Sequence, residues 1–121
     1  MKPKINFITL SVKDLKRSTA FYRHVLGLPT QGIQPGYEDH VLFELENDFS
    51  LVLLASDKAV MPAGLIISHV TENKSDVDHI LDAVIEAGAT QIGERRNEAW
   101  GYTANFADFD GYQWEILCIS K

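Results

Sequence analysis

The feature that most constrains this chain is an internal repeat, because the order strand, helix, paired strands is predicted once in each half of the sequence. In the first half, Asp14 and Gly27 are well placed to begin and end the predicted helix. The strands predicted in this half are 5–12, 41–46 and 49–55. A period of about 60 residues is too long for a solenoid unit, so the pattern favours two modules.

The second half restarts the same plan after a short connector, residues 56–63. Ser75, followed three residues later by Asp78, resembles a capping box and predicts where the second helix begins. The segment 93–99 is polar and is predicted to be a link rather than a strand. The strands predicted in this half are 64–70, 89–92, 102–106 and 112–119.

Together the two halves predict an α+β fold in a single domain, residues 1–121, which consists of module one, 1–61, and module two, 62–121. Neither half alone would bury enough apolar surface to be stable. The two small sheets are therefore expected to pair. The sequence leaves open whether they pair within one chain or across a homodimer.

Composition argues against several classes of function. The formal net charge is −6, whereas nucleic-acid binding needs clustered Lys and Arg, so no nucleic-acid partner is expected. No apolar stretch approaches the roughly 20 residues that span a membrane, so no membrane partner is expected. The single cysteine, Cys118, lies in an apolar run and is predicted to be a structural thiol. These features are typical of a cytoplasmic protein.

Two segments resemble the signatures of a known family. Residues 12–28 read VKDLKRSTAFYRHVLGL, and residues 106–115 read FADFDGYQWE, with Phe109 where the family usually has proline. In this order and at this separation they resemble the glyoxalase / bleomycin-resistance / extradiol dioxygenase superfamily, the vicinal oxygen chelate proteins. The resemblance implies two βαβββ modules whose curled mixed sheets surround a cavity, commonly in a homodimer.

The same resemblance bears on metal binding, because family metalloenzymes hold a divalent ion through one side chain from each of four strands. In this chain the four places fall on Phe7, on Val52 or Leu53, on Leu65 and on Glu115. A hard divalent ion needs several oxygen or nitrogen donors, and Glu115 alone supplies one. No metal or other cofactor is therefore expected, unless His40 or His69 supplies a ligand from an unusual position.

The resulting hypothesis is a glyoxalase-like protein that binds a small organic molecule in its cavity without a metal. The residues expected to line the cavity are Phe7, Thr9, Leu53, Leu65, Ile67, Trp100 and Tyr102. The alternative is a lyase, isomerase or dioxygenase-type enzyme that uses Glu115 and His69 as catalytic acid and base or as metal ligands. A bare dimerisation module is the third hypothesis. Two convergent titratable groups in the pocket would favour the enzyme.

Overall fold

The computed structural model describes residues 1–58 and 62–120 of the chain, so the predicted connector 56–63 lies partly outside the described residues. Two compact units are present, Met1–Val60 and Met61–Lys121, and each contains its own open, curled sheet. The elements in chain order are β1 Phe7–Val12, α1 Leu15–Ala20, a π-helical turn Phe21–Val25, β2 His40–Glu44, β3 Ser50–Ala55, β4 Ile66–Thr71, α2 Lys74–Glu86, β5 Thr90–Glu98, β6 Gly101–Ala107 and β7 Gln113–Ile119. The predicted α+β class is confirmed.

The first unit is a three-stranded sheet in the order β1-β3-β2, with β1 parallel and β2 antiparallel to β3. The carboxylate of Asp14 accepts a hydrogen bond from the backbone N–H of Arg17 at 3.0 Å, which confirms the predicted start of α1. Strand alternation places one set of apolar side chains against the helix. The buried members of this set are Leu10, Val12, Val41, Phe43, Leu51 and Leu53.

The first unit departs from the repeat that the family resemblance implies. Its described residues form three strands rather than four, and the stretch between the π-helical turn and β2 adds to the sheet an isolated bridge, Thr30 to Phe43, instead of a strand. Pro35 lacks a backbone N–H, and Gly32 and Gly36 have positive φ, so this stretch cannot continue an extended ladder. It forms a loop beside β2 instead.

The second unit is a four-stranded sheet in the order β4-β7-β6-β5, in which β4 is parallel to β7 and the remaining pairs are antiparallel. The helix α2 packs on one face of this sheet. Its apolar stripe and the strand residues that face it form the core. The buried members are Val77, Leu81, Val84, Ala104, Phe106, Trp114 and Ile116.

The helix α2 begins earlier than predicted. Its N-cap is Asn73, which forms a reciprocal capping box with Asp76, so the proposed box of Ser75 and Asp78 is wrong. Asp78 instead accepts a hydrogen bond from Arg95 at 2.7 Å. The same type of motif is therefore present two residues upstream of its predicted position.

The prediction that the polar segment 93–99 is a link is also wrong, because most of this segment belongs to β5. This strand is an edge strand and is largely exposed, so polar side chains are compatible with it. Its register with β6 shifts between Ile92 and Arg96, where the ladder is irregular. Across the described residues, no helix is long and apolar enough to cross a membrane.

Candidate functional site

Each sheet has one face that packs against the helix of its own unit and one that does not; we call the latter the first and second open face. The register assigns to the first open face Phe7, Thr9, Ser11, His40, Leu42, Glu44, Ser50, Val52 and Leu54. It assigns to the second open face Ile66, Ser68, Val70, Thr103, Asn105, Gln113, Glu115 and Leu117. The open faces therefore contain two of the predicted cavity residues, Phe7 and Thr9, together with Glu115.

The side chain of Glu115 is held on the second open face by hydroxyl groups from both neighbouring strands. Its Oε1 accepts a hydrogen bond from Ser68 at 3.3 Å, and its Oε2 accepts one from Thr103 at 3.1 Å. This arrangement arises because β7 lies between β4 and β6. The polar row continues to β5, where Arg96 donates to Asn105 at 3.3 Å. A fixed carboxylate is thus part of a row that crosses all four strands.

His69 does not share the face of Glu115. In the parallel ladder, Glu115 is opposite Ser68, whereas His69 is opposite the buried Ile116. Adjacent residues of a strand point to opposite faces, so the imidazole lies on the side of α2. There it lines a groove of about 390 Å³ with His79 of that helix. The expectation that His69 faces the cavity is corrected.

Three other predicted cavity residues are also on helix-facing sides. Leu53 is opposite Leu10, and both side chains are fully buried. Ile67 is opposite Trp114. The hydroxyl of Tyr102 donates a hydrogen bond to Asp78 of α2 at 2.8 Å, which places this ring on the helix side. The prediction that these three residues line the cavity is wrong because alternation along a strand does not state which of its two faces packs against the helix. The pairing register between strands is needed to decide that.

The remaining two predicted cavity residues precede strands rather than lying in them. Leu65 comes directly before β4, and Trp100 comes directly before β6; both side chains are partly exposed. A local signal in the sequence would have corrected the assignment of Leu65. Phe7 lies seven residues before the N-cap Asp14, and seven residues before the N-cap Asn73 lies Ile66. Ile66 is therefore the residue of the second unit that corresponds to Phe7.

Sequence reasoning missed a cleft of about 680 Å³ in the first unit. It lies between β2 and the loop that precedes it. The residues that line it are Pro29, Thr30, Gln31, Gly32, Gln34, Tyr37, His40, Leu42, Glu44, Leu45 and Glu46. Nδ1 of His40 lies 2.8 Å from a carboxylate oxygen of Asp39, and this hydrogen bond lowers the pKa of Asp39. Loops carry little periodic signal, so the cleft could not be predicted.

The groups around Glu115 are a poor donor set for a divalent metal. Phe7 and Ile66 occupy matching places with apolar side chains, and both carboxylate oxygens of Glu115 already accept hydrogen bonds from hydroxyl groups. Within residues 1–58 and 62–120, no group of three or more His, Cys, Asp and Glu side chains could hold an ion. A single carboxylate with neutral oxygens is a weak site for a hard cation.

The repeated β-α-β units and the signature position of Glu115 define a glyoxalase-type protein. The chain belongs to the Glyoxalase/Bleomycin resistance protein/Dioxygenase superfamily, whose family model matches residues 4–116. This finding confirms the resemblance carried by the two sequence segments. No curated protein sequence is significantly similar to the chain.

Solved structures show the same fold. A hypothetical protein, SA1046, from S. aureus is 26% identical with a TM-score of 0.80, and the match covers 98% of each chain. The oxidase ChaP-H2 is 28% identical with a TM-score of 0.75, over 99% of this chain and 96% of that one. The fosfomycin resistance protein FosX from Listeria monocytogenes is 19% identical with a TM-score of 0.79, over 99% and 96%.

Proposed function

We propose that this chain binds a small organic molecule, that Glu115 contacts it, and that no metal takes part. The observation that supports this most is the carboxylate of Glu115, held at a defined position by Ser68 and Thr103. On the same face, the side chains of Ile66 and Val70 are more than half exposed. A few fixed polar groups among apolar side chains are the usual composition of a small-molecule site.

The geometry favours a binding protein over an acid–base enzyme. The enzyme hypothesis requires Glu115 and His69 to converge on one substrate, but their side chains lie on opposite faces of the same sheet. The related structures include a resistance protein and an oxidase, and one fold supports many activities. Their names therefore assign no reaction to this chain.

We further propose a homodimer, on the basis of the sheet edges. β1 and β4 are edge strands, and the exposed side chains of Phe7 and Ile66 lie on them. Exposed apolar residues on an unpaired edge favour pairing with another chain. Composition still argues against nucleic-acid and membrane partners and for a cytoplasmic location, and these remain predictions.

The test of ligand binding is a Glu115→Gln variant, which keeps the shape of the side chain and removes its charge. EDTA-treated wild type and variant are melted in the presence of a small-molecule library. We expect the free energy of unfolding to change by about 1 kcal/mol or less. For the compounds that stabilise the wild type, we expect affinity to fall about tenfold, or about 1.4 kcal/mol.

The matched control is Glu86→Gln, which removes the same charge from an exposed residue at the end of α2. It should leave the ligand-induced shifts unchanged. Equal shifts for wild type and Glu115→Gln would show that this carboxylate is a structural acceptor and not a ligand contact. Shifts that disappear from the wild type after EDTA treatment would contradict metal independence.

A further inference from the structure

The cleft of the first unit is held in shape by backbone and side-chain hydrogen bonds. Oγ1 of Thr30 donates to the carbonyl oxygen of Leu42 at 2.7 Å and accepts from the N–H of Gly32 at 3.0 Å. The N–H of Tyr37 donates to the carbonyl oxygen of Gln34 at 3.0 Å. The loop is therefore tied to β2 and to itself, and a ligand would not need to organise it.

The cleft offers apolar and aromatic surface to a ligand. Leu42 is 44% exposed and Tyr37 is 64% exposed, although leucine is among the residues most often buried. The rings of Tyr37 and His40 meet edge to face, with their centroids 6.2 Å apart. This contact places two flat rings on one side of the cleft.

The acidic groups that line the cleft are two glutamates. Glu44 and Glu46 line it, and in the described part of the chain neither forms an ion pair. No Lys or Arg is among the lining residues, although the Arg23 guanidinium reaches Gly32 nearby. Nδ1 of His40 lies 2.8 Å from a carboxylate oxygen of Asp39, so this ring is held beside the cleft by its sequence neighbour.

The geometry points to a binding site in this cleft for a small organic cation with an aromatic or aliphatic body. The carboxylates would compensate its charge, the tyrosine face would attract it, and Leu42 would contact its apolar part. This inference rests on the proposed function in that both assume a small-molecule ligand. It uses different residues, so the two can fail separately.

The probe is phenethylammonium, and phenylacetate is its anionic counterpart. Amide NMR spectra of the isotopically labelled full chain are recorded during titration with each compound. We expect phenethylammonium to shift the amide signals of residues 29–46, and added salt to weaken the effect because exposed charges are screened. Phenylacetate should leave these signals unchanged. No shifts in this range, or equal shifts with both compounds, would overturn the inference.

Variants separate this site from Glu115. In the double variant Glu44→Gln/Glu46→Gln, we expect the affinity for phenethylammonium to fall about threefold to tenfold, the range of partly exposed charge pairs. Glu86→Gln, which removes one exposed carboxylate outside the cleft, is the control. Loss of affinity in Glu115→Gln but not in the double variant would refute the cleft as the cation site and support the proposed function. The reverse pattern would support the cleft whether or not Glu115 contacts a ligand.

Discussion

At the residue scale, Tyr102 shows how one side chain can connect two elements. Its hydroxyl donates to Asp78, which also accepts from Arg95, and Arg95 donates to Asp82 at 2.6 Å. The ammonium group of Lys74 lies 4.5 Å from the centre of the tyrosine ring. The hydrogen bond from Tyr102 lowers the pKa of Asp78 and raises the pKa of Tyr102. The residue predicted to line a cavity thus ties β6 to α2.

A Tyr102→Phe variant should lower the free energy of unfolding by about 1 kcal/mol at neutral pH, because it removes a hydrogen bond to a charged, partly exposed group. The difference from wild type should be pH-dependent. Because the pKa of Asp78 is lowered in the folded state, its contribution to stability is fully present above the ordinary value of 3.8. This contribution is lost as pH falls through the pKa of the folded state. Because the pKa of Tyr102 is raised in the folded state, its contribution to stability is fully present below the ordinary value of 10.0. This contribution is lost as pH rises through the pKa of the folded state.

Urea unfolding of both proteins across the pH range measures this difference. We expect it to be largest between about pH 4 and pH 10 and to shrink at both ends. A difference that stays constant across the whole range would contradict the proposed bond between Tyr102 and Asp78. Phe is the suitable replacement because it retains the ring that Lys74 contacts.

At the element scale, the start of β6 depends on a glycine. Gly101 has φ +156°, and a Cβ at this position would overlap the carbonyl oxygen of Cys118 on the neighbouring strand β7. Gly93 on β5 also has a positive φ, +69°, but a Cβ there would meet nothing within 4 Å. Substitution by alanine at Gly93 therefore measures the cost of backbone strain alone, whereas the same substitution at Gly101 adds the cost of a steric clash.

We expect Gly93→Ala to destabilise the protein by about 1 kcal/mol, the cost of a left-handed conformation for a residue with a Cβ. Gly101→Ala should cost at least about 2 kcal/mol, because the strands must also move apart. Urea midpoints of the two variants against wild type measure these values. Equal costs would show that β6 can shift away from Cys118 without loss of packing.

At the scale of the whole molecule, the prediction concerns self-association. Light scattering at micromolar concentration should give twice the chain mass of 13.6 kDa. The variant Ile66→Lys places a charge on the exposed edge strand β4 and should shift the protein toward the monomer. Glu86→Lys, which introduces the same side chain at an exposed position of α2, should not. A wild-type mass of 13.6 kDa would refute the homodimer.

Much of the fold follows from local patterns in the sequence. Alternation and helical spacing predict most elements, because a strand or helix with one buried face imposes a periodicity of its own. Asp14 was correctly assigned as a cap, since capping depends on neighbouring residues. The motif around Glu115 led to the correct family for the same reason: its spacing is local.

What only the tertiary structure decided is which side of each sheet a residue occupies. A shift of one residue in pairing reverses every side chain of a strand, and no local pattern states which residue of β4 is opposite Glu115. That register separates His69 from Glu115, and the register of β1 with β3 places Leu53 in the core. The cleft beside β2 was likewise decided by a loop whose hydrogen bonds span distant residues. The sequence alone determined most of the elements and the family, whereas long-range pairing determined which residues share the site.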